Sequence, residues 1–486
     1  MRSISLIQQS RSFASRNLIH RAGLFSVPKE KSLFIDESGT KLSYGKFLTK
    51  TGQYAATLHE DYKIQKGDRV LSRIEKSIDA VALYLACLQI GAIYVPLNPD
   101  YKQEETKHFI QDAEPKLFVT SQLELDKVHS ESVSHIVVDK QLKKMIEQKK
   151  AATDVESMRD EETASICYTS GTTGKPKGAM LTHGSLSSNG ETLAKIWGFT
   201  ENDRLLHMLP FYHVHGMFIS LSTTLFSHSS LIWLPRFSEE ICLRHLAQST
   251  VLMGIPTYYS RLLSSPQFQK SSIPPQFRLF ISGSAPLSLA IWEEFEKRTG
   301  HRILERYGMT EAQVICSNLY DVNGRIPGSV GKPIPGTELR LNVNDGIEIR
   351  SPALFSGYWR NPVKTKEDMT DDGYFITGDV GRIDDNGFLH IMGRSKDLVI
   401  SGGLNIYPKE IEDVVDKLDG VHESALIGLP HRDLGEALVA VVALRNGVKL
   451  DEKAIREKLK AQLAGYKIPK RVLFISKLPR NSMGKG

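Results

Sequence analysis

Tyr168-Thr-Ser-Gly-Thr-Thr-Gly-Lys-Pro-Lys-Gly178 is the stretch from which the rest of this chain is read. Ser, Thr and Gly let backbone N–H groups close on an anion without side-chain obstruction. Lys175 and Lys177 add positive charge at the same place. Thr169, Ser170, Gly171, Thr172, Thr173 and Gly174, with Lys175, are therefore candidate contacts to a nucleotide triphosphate. The spacing is not that of a Walker A loop, and Pro176 interrupts the run. Apolar residues at 164–168 and the run 178–183 predict a strand, a loop and a second strand. A flexible surface loop is the other reading of such composition, and anchorage at both ends weighs against it.

The chain has 486 residues, too many for one ordinary core, so two or more domains are expected. Hydrophobic residues make up 41% and charged residues 24%, as in a soluble globular protein. A net charge of +6 is mild at this length. No dense basic patch with interleaved aromatics points to nucleic acid. Cys87, Cys167, Cys242 and Cys316 lack metal-ligand spacing and read as buried reduced thiols. The most apolar run, 80–95, is broken by Gln89 and Gly91 and is short for a bilayer. A core helix followed by a strand is expected there, and no transmembrane segment.

Residues 1–29 hold no acid, while Arg2, Arg11, Arg16 and Arg21 are spread through Ser-rich apolar sequence. That is the composition of a mitochondrial transit peptide. Residues 1–28 are expected to be such a presequence, otherwise disordered, with the mature chain starting near residue 14. A disordered basic tail is the alternative.

Short apolar runs at 68–74, 92–97, 136–139, 205–209, 231–234 and 251–254 predict strands, and 77–90 has helical spacing. Residues 122–160 are expected to be peripheral and largely helical around one short strand. After about residue 335, Asn344-Asp-Gly and Asp385-Asn-Gly mark antiparallel hairpins. A boundary falls at 394–398, and about ninety residues with their own strands and amphipathic helices follow. The expectation is an α/β protein. Residues 29–394 form a large N-terminal domain of layered α/β subdomains with a β-rich subdomain, and 395–486 a small, mobile C-terminal α+β domain.

The stretch 168–178 resembles the phosphate-loop signature of the adenylate-forming superfamily, which includes acyl-CoA synthetases, luciferases and peptide-synthetase adenylation domains. Further motifs extend the resemblance over about residues 30–486. It implies two half-reactions: a carboxylate attacks the α-phosphate of ATP to give acyl-AMP and pyrophosphate, and a thiol then displaces AMP. Two anions must meet, so cationic side chains and a divalent ion are needed. By the resemblance, Lys177 is catalytic beside the β- and γ-phosphates. In Arg306-Tyr-Gly-Met-Thr-Glu311, Glu311 binds Mg²⁺, Thr310 lies by the α-phosphate, and Tyr307 and Gly308 border the adenine. A lone Thr-Glu pair would otherwise be a helix cap.

Ser282-Gly-Ser-Ala-Pro-Leu287 resembles the adenine-pocket loop, with Gly283, Ser284 and Ala285 close to the base. Asp379 in Thr377-Gly-Asp matches the ribose carboxylate and Arg394 the nucleotide arginine. Lys485 in Pro479-Arg-Asn-Ser-Met-Gly-Lys485 matches the lysine that bridges carboxylate and α-phosphate. Gly486 follows it directly, whereas family members continue for some way. Asp397 matches the hinge of a small domain that rotates. Ser401, Gly402 and Gly403 match the pantetheine tunnel, where glycine permits close backbone approach. A turn between strands would also use them. Many relatives carry a lysine where this chain has Ile400.

His213, in Leu209-Pro-Phe-Tyr-His-Val-His-Gly216, matches the position between the acyl pocket and the thiol channel. Arg306 and Arg261 are more telling. A fatty-acid tunnel does not tolerate buried guanidinium groups without partners. A second carboxylate on the substrate would be a bidentate partner. These features resemble malonyl-CoA synthetases, so the expected substrates are malonate or methylmalonate, ATP with Mg²⁺, and coenzyme A, in the mitochondrial matrix. Either arginine could instead face solvent or pair with a protein acid such as Glu305. The competing readings are a medium-chain or aromatic acyl-CoA ligase, a ligase feeding a carrier protein, and a non-catalytic nucleotide-binding scaffold. Nothing in the sequence bears on oligomeric state.

Overall fold

The computed structural model describes residues 15–121, 133–169, 176–401 and 404–480. Among these the strands build four sheets. A six-stranded sheet runs His135–Val138, Leu117–Thr120, Arg69–Arg73, Ile93–Pro96, Thr163–Thr169, Lys177–Thr182. A nine-stranded sheet runs from Lys332–Pro333 through Gln313–Ser317, Leu304–Met309, Leu279–Ser282, Val251–Gly254, Arg204–His207, Ser230–Trp233 and Ser32–Ile35 to Lys41–Ser43. The strands at its centre are parallel and, apart from Arg204, buried, and helices cover them. Ligands of such sheets gather at the carboxyl ends of the strands.

The helix Ile78–Gln89 shows how local sequence sets these layers. Ser77 caps it, its side chain accepting from the Ala80 N–H at 3.1 Å. Every residue from Ala80 to Gln89 is buried, as in a helix enclosed by other layers. No described helix is long and apolar enough to cross a membrane.

Glu338–Leu341, Gly346–Arg350, Phe375–Ile383 and Leu389–Arg394 form the third sheet, all antiparallel. The last sheet joins Leu404–Ile406, Val399–Ser401, Gly435–Leu444 and Val421–His431, with Arg471–Ile475 beside Gly435–Leu444. The helices Pro408–Val415 and Glu452–Lys460 close over it around Ile411, Val415, Ile455 and Leu459. This smaller C-terminal domain has a core separate from that of the large N-terminal domain. The four cysteines are buried and free.

Two expectations need correction. The disordered stretch does not reach residue 28. Leu18–Arg21 is helical, Leu18, Ile19 and Leu24 are buried, and the Asn17 amide donates to the carbonyls of Leu88 (2.7 Å) and Glu156 (3.1 Å). The core thus claims the chain from about residue 16, and residues 1–14 lie outside the described ones. Nor is the described part of 122–160, residues 133–160, largely helical. It has the strand His135–Val138 and the helix Asp139–Ile146, and residues 147–160 have neither. There the backbone bonds outward, Ala152 N to Gly52 O and Glu156 N to Gln89 O, and those tertiary bonds override helix propensity.

Candidate active site

The strands Thr163–Thr169 and Lys177–Thr182 are antiparallel, with Thr169 opposite Lys177 and Tyr168 opposite Gly178. The two expected strands are therefore present. Ser170, Gly171, Thr172, Thr173, Gly174 and Lys175 lie outside the described residues. At the mouth, Lys177 Nζ stands 4.6 Å from the centre of the Tyr358 ring. A Cβ on Gly178 would come within 2.7 Å of Ile166 Cγ2, so glycine lets the hairpin close.

Glu311 faces the same tyrosine. The Tyr358 hydroxyl donates to Glu311 Oε1 at 3.0 Å. Thr310 and Glu311 occupy the tight connection between Leu304–Met309 and Gln313–Ser317, not a helix start. Gly308 is required there, since a Cβ would lie 1.8 Å from the Gln313 carbonyl oxygen. Burial raises the Glu311 carboxyl above the usual carboxylate range, while the Tyr358 bond and the Lys177 charge act against that rise. A desolvated carboxylate with a lysine close by suits a cation and phosphate oxygens arriving together.

Tyr307, Asp379 and Arg394 form a second cluster. The Tyr307 hydroxyl donates to Asp379 Oδ2 at 2.5 Å, and Arg394 Nε stands 3.3 Å from Asp379 Oδ1. Asp379 and Arg394 face each other across the pair Phe375–Ile383 and Leu389–Arg394. Ser284 takes a left-handed backbone, φ 71°, and its Oγ lies 3.1 Å from His215 Nδ1. Ala285 beside it is partly exposed.

Arg306 is only 4% exposed, and its Nε and Nη2 have no hydrogen-bond partner among the described residues. Burial pulls its pKa down to about 10. Glu305 does not pair with it, because successive strand residues face opposite sides. The Glu305 carboxylate instead accepts from the Leu287 N–H at 3.0 Å, and burial pushes it up to about 7. Gly283, expected to admit the adenine, makes room for Arg306: a Cβ would lie 2.3 Å from Arg306 Nε. His213 Nδ1 accepts from the His215 N–H at 3.2 Å, which places the proton of a neutral His213 ring on Nε2. Buried His215 is held well below the usual histidine range, first by desolvation, then by the Arg306 charge.

Arg261 is half exposed and its Nε lies 3.9 Å from Glu239 Oε1, so a protein acid already shares its charge. Asp397 is exposed in the short turn Ser395–Asp397. Ser401 is buried at the end of Val399–Ser401 opposite Leu404. Gly402, Gly403 and Lys485 lie outside the described residues.

The AMP-binding enzyme model matches residues 25–359, and the AMP-binding enzyme C-terminal domain model matches residues 410–485. The chain belongs to the AMP-binding enzyme family. Among its relatives, the malonate–CoA ligase of Arabidopsis thaliana is 34% identical over 489 residues, covering 90% of this chain and 79% of that protein. The mitochondrial malonate–CoA ligase ACSF3 of Mus musculus is 33% identical, covering 86% of this chain and 80% of that one. The ATP-bound crystal structure of MatB from Rhodopseudomonas palustris superposes with a TM-score of 0.93 at 43% identity, covering 97% of each chain.

Sequence reasoning missed Tyr358, which joins Lys177 to Glu311. A Gly-Tyr-Trp at 357–359 carries no charge or spacing that marks it. It also missed the contact between Gly283 and Arg306, which are 23 positions apart and meet only through the pairing of neighbouring strands.

Proposed function

We propose that this AMP-binding enzyme joins malonate to coenzyme A in two steps. Arg306 carries the reading: a buried guanidinium with unpartnered N–H groups is costly unless an anion arrives. Malonate supplies one, because its second carboxylate is spare while the first reacts. A bidentate pair would satisfy the guanidinium and orient the acid. Arg261 is a second candidate for that carboxylate, weakened by Glu239.

In the first step a malonate carboxylate oxygen bonds to the α-phosphorus of ATP, and the bond from that phosphorus to the bridging oxygen breaks, releasing pyrophosphate. Thr169, Ser170, Gly171, Thr172, Thr173, Gly174 and Lys175 would wrap the phosphates, with Lys177 and Thr310 beside them. Lys485 would bridge carboxylate and α-phosphate as charge builds. Ser284, Ala285, Tyr307 and Gly308 would hold the adenine, and Asp379 with Arg394 the ribose. Glu311 would hold Mg²⁺, which screens the phosphate charge when bound. In the second step the coenzyme A sulfur bonds to the acyl carbon, AMP leaves, and the thiol proton passes to solvent. His213 would line that approach. Asp397 would be the hinge, and Ser401, Gly402 and Gly403 the tunnel.

The domain limits we assign are 29–394 and 395–486, with the start of the first moved back to about residue 16. Residues 1–14, basic and without acids, support import into the mitochondrial matrix. Methylmalonate is a second substrate on this reading, since one methyl is worth only about 1–3 kcal/mol in a pocket. ATP–pyrophosphate exchange tests the proposal: exchange driven by malonate supports it, and exchange driven only by octanoate or benzoate overturns it.

A further inference from the structure

Apart from the site above, the structure encloses the ammonium of Lys76, and no carboxylate pairs with it among the described residues. Lys76 follows the strand Arg69–Arg73 of the six-stranded sheet, yet its Nζ reaches into the nine-stranded one. It donates to His207 Nδ1 (2.9 Å), to the His207 carbonyl (3.0 Å) and to the Leu234 carbonyl (2.6 Å). Three acceptors use all three ammonium N–H groups. The Trp233 ring lies 4.4 Å away. His207 ends the strand Arg204–His207, and Leu234 follows its parallel neighbour Ser230–Trp233. One lysine therefore ties the carboxyl ends of two strands of one sheet to the other sheet.

The tie continues through the imidazole. His207 stacks on Trp233 with ring centroids 4.5 Å apart. Its Nδ1 accepts from Lys76, so the ring proton is on Nε2, which donates to the Gly216 carbonyl at 2.9 Å. If the shared proton moves from Lys76 to Nδ1, Nε2 still donates, and the pair keeps one positive charge. Gly216 is clamped from its other side, since a Cβ there would lie 2.1 Å from the Pro210 carbonyl oxygen. It belongs to the π turn His215–Ser220. His215 of that turn meets Ser284, and the preceding Gly283 seats Arg306.

We propose that Lys76 is a positioning residue for the acid pocket: through His207 it fixes the π turn, and with it the Gly283–Ser284 bed of Arg306. The inference rests on reading that pocket as the seat of the acid.

The test compares wild type, Lys76→Met, His207→Phe and the double variant by initial rates and thermal melting. Each single change should raise KM for the acid at least about tenfold and leave KM for ATP within about twofold. Because the pair acts as one unit, the double variant should be no worse than the poorer single. Lys76→Met leaves three buried acceptors without their donor, so some fall in Tm is expected and the split between the two KM values is the deciding readout. Equal losses for acid and ATP would reduce Lys76 to a structural brace and overturn the proposal. So would losses that multiply in the double variant, or unchanged KM values. The acid used is the one wild type turns over best among malonate, acetate and octanoate. A preference for octanoate thus removes the malonate reading without removing the Lys76 comparison. Ring ¹⁵N spectra of histidine-labelled protein give a readout free of turnover. His207 Nδ1 should shift in Lys76→Met, and an unshifted signal overturns the proposal.

Discussion

The guanidinium of Arg306 fills the volume that a side chain on Gly283 would need: an added Cβ would lie 2.3 Å from Nε and 2.4 Å from Cζ. Gly283 has no left-handed backbone to justify it, so its role is space. In Gly283→Ala the arginine must move. The expected result is a loss of at least about tenfold in kcat/KM for malonate, about 1.4 kcal/mol, with KM for ATP little changed. Steady-state kinetics on the two substrates checks it.

Asp379 joins Tyr307 and Arg394, one at each carboxylate oxygen. If it receives the ribose, Asp379→Ala loses charge-assisted hydrogen bonds worth about 1.5–3 kcal/mol each. KM for ATP should then rise by at least about thirtyfold while KM for malonate holds. Equal rises in both would mean that the cluster only supports the fold.

Glu305 sets a pH dependence of stability. Its ordinary value is 4.5, and burial raises it to about 7 in the folded chain. The folded state therefore holds this proton more tightly than the unfolded chain does. Its contribution is complete below pH 4.5 and is lost as pH rises through about 7, to a total of about 3 kcal/mol. Glu305→Gln cannot lose a proton, and its side-chain oxygen can still accept from Leu287. Its melting temperature should fall less than that of wild type between pH 4.5 and 7. Asp416, raised to about 6, titrates in both proteins and cancels in the comparison.

Truncation tests where the folded body begins. Removing residues 1–14 should leave Tm within a degree or two. Removing 1–27 takes Leu18, Ile19 and Leu24 from the core. Each costs about 2–5 kcal/mol, which together matches the whole stability of a typical domain. Soluble, cooperative unfolding of that shorter chain would contradict a folded body that begins near residue 16.

What the sequence disclosed depended on whether function or packing had chosen the residues. The strand pair 163–182, the parallel strands and the Asn-Asp-Gly and Asp-Asn-Gly turns were legible because each rests on local chemistry. Asp379 and Arg394 were found separately, by motif, and the structure sets them side by side. Three features were not legible. Residues 16–27 look like leader by composition, yet the amide of Asn17 finds acceptors at Leu88 and Glu156, far along the chain. The segment 147–160 is rich in helix formers but spends its backbone bonds on neighbouring elements. Arg261 and Arg306 looked equivalent as two arginines near an acyl pocket. Only the fold shows one buried, its Nε and Nη2 without a partner among the described residues, and the other half exposed beside Glu239.

If Arg306 receives the second carboxylate of the acid, removing its guanidinium must cost malonate far more than a monocarboxylic acid. The most direct measurement is coenzyme A thioester formation with ATP and Mg²⁺ on malonate, methylmalonate, succinate, acetate and octanoate, with wild type and Arg306→Ala side by side. Malonate should be the best substrate of wild type, and its kcat/KM should collapse by at least about a hundredfold in the variant, about 2.7 kcal/mol, while the trace rate on acetate is retained. Octanoate as the best substrate, undiminished in Arg306→Ala, would contradict that role of Arg306.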